Sequence, residues 1–151
     1  MAARPVVLDT NIILETIKME PDRNVMAWLF MNEQYLYLTA VTIGELLDGA
    51  LRLPVGRRRE NLLVAMERIT SGYRNRILAY DAAAARIYAR FAESARNQGR
   101  ALTVEDGMIA ATCIAAGGVL ATRNTKDFSY LDTTLINPFE EPTPSVPEVA
   151  L

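Results

Sequence analysis

Histidine does not occur in this chain of 151 residues. That one absence removes Ser-His-Asp and Cys-His nucleophile systems, histidine acid–base pairs and histidine metal ligands. A single cysteine, Cys113, excludes an intrachain disulfide. It stands in a helical stretch where small or apolar residues would serve, so it reads as core packing. No apolar run approaches the roughly 18 residues of a membrane span. The N-terminus lacks the charged-then-apolar pattern of a signal peptide, and a cytoplasmic protein with no membrane partner is expected. Net charge is also scarce, −2 from 16 basic and 18 acidic residues. This argues against bulk electrostatic binding of nucleic acid and leaves room for a local basic groove. Carboxylates remain as the main candidates for chemistry.

What is present is globular: half the residues are hydrophobic and 23% are charged. A chain of this length forms one domain that buries roughly two thirds of its unfolded surface. Val6-Val7-Leu8 is a short apolar run ending at Asp9, and it reads as a buried strand. Helices are expected over about 11–19 and 23–32, then a strand over 35–39. Helices over about 41–53 and 57–71 lead to a strand over 77–80. Helices over 81–97 and 104–116 precede strands over 119–122 and 134–136. The domain is assigned to 1–139, and the proline-rich 140–151 to an extended or frayed tail. Strands alternating with helices predict an α/β three-layer sandwich, with a five-stranded, mostly parallel sheet covered on both faces.

That topology gathers four acids. A helix after a parallel strand starts at the C-terminal edge of the sheet, and so does a helix that precedes one. Asp9 ends the first strand. Glu45 lies early in the helix after the second. Asp106 lies in the first turn of the helix before the fourth, and Asp127 follows the fourth. Each has a local alternative. Asp9 serves equally as a helix cap. Thr42-Ile43-Gly44-Glu45 and Thr103-Val104-Glu105-Asp106 have capping-box spacing. Asp127 suits an Asx turn. Four caps aimed at one edge are a weaker account than one acidic site, and the two are compatible because helix N-termini favour negative charge. Clustered carboxylates repel one another unless a cation joins them. With oxygen ligands alone, the ion expected is hard, Mg²⁺ or Mn²⁺. Such an ion activates water for attack on phosphorus and steadies charge on phosphate oxygens, the chemistry of phosphodiester hydrolysis.

Leu8-Asp9-Thr10-Asn11, Glu45 in Thr42-Ile43-Gly44-Glu45-Leu46, Asp106-Gly107-Met108-Ile109-Ala110-Ala111-Thr112 and Ala121-Thr122-Arg123-Asn124-Thr125-Lys126-Asp127-Phe128 resemble the four acidic motifs of PIN domains. The likeness is closest to the VapC and FitB branch of type II toxins and spans about residues 5–139. It implies a Mg²⁺- or Mn²⁺-dependent endoribonuclease that leaves a 5′-phosphate and a 3′-hydroxyl. It also implies a homodimer and a cognate VapB-like antitoxin, with DNA met only through that antitoxin. By the same resemblance, Asp9 and Asp106 are the principal metal ligands, and Glu45 and Asp127 complete the set directly or through water. Thr122 and Asn124 line the site.

Two other functions fit the same residues. One is a weakly catalytic or inactive module acting through antitoxin binding and operon autoregulation. The other is a metal nuclease on single-stranded DNA, since no 2′-hydroxyl contact is legible in sequence. Arg123 and Lys126, in the loop of Asp127, are placed to bind phosphate or to pair with the acids. Arg57-Arg58-Arg59 reads as a solvated face, with an RNA-backbone contact as the alternative. Trp28, Tyr35 and Tyr37 read as packing or interface. The early helix, through Ile13, Ile17 and Met19, offers an apolar groove for a partner helix.

Overall fold

Val6–Leu8 forms β1 at the centre of the sheet, where the β-branched and apolar residues needed on a doubly covered strand are found. The computed structural model describes residues 3–141. The remaining strands are β2 (Leu36–Thr39), β3 (Ile77–Leu78), β4 (Val119–Ala121) and β5 (Leu135–Ile136). The strand order is β3-β2-β1-β4-β5, and every pairing is parallel.

The helices are α1 (Thr10–Thr16), α2 (Arg23–Asn32), α3 (Ala40–Leu51), α4 (Arg57–Gly72), α5 (Ala82–Asn97), α6 (Val104–Ala115) and α7 (Thr125–Phe128). They form two layers. Val7 and Leu120 point into a cluster with Ala84 and Phe91 of α5, Ile109 and Ala110 of α6, and Phe128 of α7. Leu8, Leu36 and Leu38 point the other way, to Ile12 of α1, Val25 of α2, Leu46 of α3 and Met66 of α4. Alternation along β1 and β4 therefore feeds both cores. Cys113 is fully buried in the first cluster, and burial pushes its thiol up to about 12, so it is packing and not a nucleophile.

Several expectations shift. α1 stops at Thr16, short of 19, with Ile17 as its C-cap, and the Glu15 side chain ties the following loop by accepting from the Asp22 backbone N–H at 2.8 Å. Tyr35 belongs to a 3-10 turn over Glu33–Tyr35 and not to β2. α3 begins at Ala40, directly after β2, and its cap is Thr39, which accepts from the Thr42 N–H at 2.9 Å. The Thr42–Glu45 capping box therefore does not form, and Glu45 lies one turn deeper in the helix. The segment after β4, read as a loop, contains α7, so Asp127 is helical and makes no Asx turn. The tail assigned to 140–151 lies outside the described residues from 142 onward.

Two close approaches hold α6 in place. A Cβ on Gly107 would meet the Tyr88 ring at 2.7 Å, and one on Gly118 would meet the Pro5 carbonyl at 2.9 Å. Only glycine lets α6 press on α5 directly beside Asp106.

Candidate active site

The two central strands end at the same level. The Asp9 N–H donates to the Ala121 carbonyl at 2.9 Å, extending the β1–β4 register by one residue. Asp9 and Thr122 are thereby set side by side. Both are buried, Asp9 with 3% of its surface exposed and Thr122 with none. The Thr122 hydroxyl donates to Asp9 Oδ2 at 2.8 Å. Asp9 Oδ1 accepts from the Thr10 N–H at 2.8 Å, so Asp9 is also the α1 cap. The two readings of this residue coexist.

Asn11 ties the strands together further. Its Nδ2 lies 3.2 Å from Asp9 Oδ2 and 3.4 Å from Thr122 Oγ1, while its Oδ1 accepts from the Arg123 N–H. The Asn124 N–H donates to Thr122 Oγ1 at 3.1 Å. Glu45 is drawn toward this point by the Thr10 hydroxyl, which donates to its Oε2 at 3.1 Å. Asp106 is held at the start of α6, where its N–H donates to the Thr103 hydroxyl at 3.1 Å. Thr103 therefore caps α6 as its spacing predicts.

Electrostatics link all four acids. Burial pushes the Asp9 carboxyl above the usual aspartate range; hydrogen bonds from Thr122, Thr10 and Asn11 oppose the rise, and the charge on Asp106 adds to it. Glu45 is raised by burial, opposed by the Thr10 hydroxyl, and raised again by Asp9, Asp106 and Glu105. Burial also raises Asp106; Thr103 opposes this, while Asp127 and Glu105 reinforce it. Asp9, Glu45 and Asp106 thus stand in one another's field, and Asp127, exposed on α7, acts on Asp106. Glu105 joins them as a fifth negative neighbour.

The polar residues divide. Thr122 is built into the acid network, and Asn124 reaches it through its backbone alone. Arg123 is exposed, with its guanidinium carbon 4.4 Å from the centre of the Phe139 ring. Lys126 is exposed on α7. Of the basic run, Arg59 donates to the Leu51 and Leu53 carbonyls at the end of α3, whereas Arg58 lines a neighbouring groove. Thr10 and Asn11 were not assigned roles from sequence. Their only signal was adjacency to Asp9, because their partners lie far along the chain.

The groove is a cavity of about 1050 Å³ between α1, α3 and α4. Leu14, Ile17, Met19 and Leu53 give it apolar walls, and Thr10 and Glu45 stand where it meets the acids. Ile13, expected to line it, is buried in the core, and Leu14, 41% exposed, takes that place. Trp28 packs at the edge of the core.

Among the described residues, no three or more acidic or cysteine side chains stand close enough together to hold a metal ion between them. An open set suits Mg²⁺, which takes one or two carboxylates and keeps several waters. Three carboxylates raised together by burial and mutual repulsion are what a divalent cation would relieve.

Among the described residues, no helix is long and apolar enough to cross a membrane. The PIN domain family model matches residues 6–133. The chain is 39% identical over 137 residues to "VapC ribonuclease Y4jK" of Sinorhizobium fredii, covering 89% of this chain and 98% of that protein. It is 34% identical over 138 residues to "Toxin FitB" of Neisseria gonorrhoeae, covering 90% and 99%. Among solved structures, "Structure of FitAB bound to IR36 DNA fragment" superposes with a TM-score of 0.82 at 34% identity, covering 91% of this chain and 97% of that one. With the likeness running nearly end to end, this chain belongs to the PIN domain family, in its VapC and FitB toxin branch.

Proposed function

We propose that the chain is the toxin of a type II toxin–antitoxin pair, a cytoplasmic endoribonuclease that hydrolyses RNA with Mg²⁺ or Mn²⁺. The observation that supports this most is the tie between Asp9 and Thr122, two residues 113 positions apart joined at 2.8 Å beside Glu45 and Asp106. Asp9 and Asp106 would hold the ion, with Glu45 and Asp127 completing the set directly or through water. When bound, such an ion lowers the pKa of a water and neutralises charge on the phosphate oxygens.

The chain's own residues do the rest. Thr122, Thr10 and Asn11 fix the Asp9 carboxylate by three hydrogen bonds, so that it meets its ligand without reorganising. Thr10 aims Glu45 at the same point. Glu45, its carboxyl raised by burial and by the neighbouring acids, would orient the attacking water or accept its proton. Asn11 anchors the Arg123 backbone next to Thr122, and the Arg123 guanidinium, laid over Phe139 and in the field of Glu15, would serve as a phosphate contact. Asn124 and Lys126 extend that contact along the loop.

The groove between α1, α3 and α4 suits an amphipathic segment of a VapB-like antitoxin. Its opening onto Glu45 would let a basic residue of that segment reach the acids. The similarity to VapC and FitB supports a homodimer that meets DNA through the antitoxin alone. The test is incubation with matched RNA and single-stranded DNA, in Mg²⁺, in Mn²⁺ and in chelator. Cleavage of RNA that needs the ion supports the reading. Equal cleavage of both strands, or cleavage in chelator, refutes it.

A further inference from the structure

The acids repel the backbone they are meant to cut, and the chain as a whole carries net negative charge. Entry of a polyanion therefore depends on a few fixed cations beside the site. Arg123 is one, on the layer of α1 and α2, where its ring partner Phe139 packs. A second arginine stands in the same way on the opposite layer.

Arg100 lies in the connection between α5 and α6, just before the helix that presents Asp106. Gly99, with φ of 62°, turns the chain there, and the Arg100 N–H closes the turn on the Ala95 carbonyl at 2.9 Å. The Arg100 guanidinium carbon sits 4.7 Å from the centre of the Tyr130 ring. Tyr130 follows α7, and it packs against the cluster that contains Phe128. Among the described residues no carboxylate lies within 4.0 Å of the Arg100 side chain, so its charge is not spent on an ion pair. Among the described residues the buried Tyr130 hydroxyl finds no hydrogen-bond partner. Burial raises the pKa of this phenol, Arg100 lowers it, and Asp127 and Asp106 raise it again, which places the ring in the field of the arginine and the acids alike.

We propose that Arg100, laid flat on Tyr130, is a second RNA-backbone contact, and that Arg100 and Arg123 bracket the acids from the two helical layers. This rests on the ribonuclease reading above. A guanidinium stacked on a ring keeps its N–H edges free and loses little freedom when a phosphate arrives. One face is taken by the ring, so the edge is what meets the strand. Two such edges, one on each side of the acidic opening, seat phosphates flanking the scissile one and hold a single strand across Asp9 and Asp106. A duplex would have to open to lie in that position.

The test is steady-state cleavage of a single-stranded oligoribonucleotide, from 0.05 to 1 M salt, by wild type, Arg100→Ala, Arg100→Lys and Arg52→Ala. Arg52 pairs with Asp48 at the far end of α3 and controls for bulk charge. One lost contact on a single strand lowers the salt slope of log(kcat/KM) by about 0.7 and raises KM about fivefold at 0.1 M salt. Arg100→Ala should show both changes with kcat within twofold of wild type, and the KM difference should vanish near 1 M. Arg100→Lys should keep the slope. Unchanged KM and slope in Arg100→Ala, or an equal loss in Arg52→Ala, overturns the proposal while leaving the ribonuclease reading intact. A wild-type protein that cleaves no RNA overturns the ribonuclease reading, and this proposal with it.

Discussion

The Thr122 hydroxyl, just beyond β4, donates to Asp9 Oδ2, just beyond β1, across 2.8 Å. It is as short as the Thr10 N–H bond to the same carboxyl and does most to hold that buried group in its charged form. Thr122→Val keeps the shape and removes the donor. A hydrogen bond to a charged group contributes about 1.5 kcal/mol or more, equivalent to about one pKa unit. The acid limb of the kcat/KM profile should move up by about one pH unit in this variant, and Thr122→Ser should restore it. An unshifted limb in Thr122→Val would show that Asp9 does not set it.

Asp9→Asn removes the charge and keeps a good helix cap. Ion-dependent cleavage should fall at least about a hundredfold, since several kcal/mol of charge stabilisation would go with the carboxylate. The melting temperature without metal should hold or rise, because a buried neutral amide costs less than a buried charge. Cleavage retained by a folded Asp9→Asn protein would sink the assignment.

Stability should depend on pH in an inverted sense at this site. Asp9, Glu45 and Asp106 all have folded-state pKa values above their ordinary ones. The folded chain therefore holds more protons than the unfolded one over the interval between the two values. The stability these groups contribute is complete below about pH 4 and is lost as pH rises through the raised values. Asp9→Asn should flatten part of that decline in thermal melts. Millimolar Mg²⁺ or Mn²⁺ should raise the melting temperature more at pH 8 than at pH 5, because ion and proton compete for the same oxygens. Equal shifts at both pH values would show that the ion binds elsewhere.

Gly107→Ala puts a methyl where the Tyr88 ring already stands, at 2.7 Å. Overpacking of this kind costs about 1–3 kcal/mol. The melting temperature should drop accordingly, and kcat should drop as α6 carries Asp106 away from Asp9. Pairing the change with Tyr88→Leu should recover both. A double variant no better than the single one would place the damage elsewhere.

The acids were legible because parallel topology brings both kinds of helix start to one edge, so Asp9, Glu45, Asp106 and Asp127 could be aligned without coordinates. The bonds that fix them were not. Asn11 bridges Asp9, Thr122 and the Arg123 backbone across more than a hundred residues, and nothing in local spacing reports such a partner. The start of α3 was misplaced because Thr39 and Thr42 are equally good caps by type. β2 runs into α3 without a turn, and that gives Thr39 the role. α7 was missed because its four residues are too few to show a helical period. Arg100 escaped notice because its ring partner comes from another part of the fold.

The central strand of the sheet gains one neighbour early in chain order and the other late. β1 pairs on one side with β2, which begins at Leu36, but its other neighbour β4 begins only at Val119. A chain that stops before Val119 has Asp9, Glu45 and Asp106 in hand but neither the Thr122 hydroxyl that steadies Asp9 nor Asp127. Its β1 edge would also stand unpaired on the β4 side. Products of translation that end before β4 would thus be open-edged and catalytically blank, and a working site waits on Thr122 and Asp127.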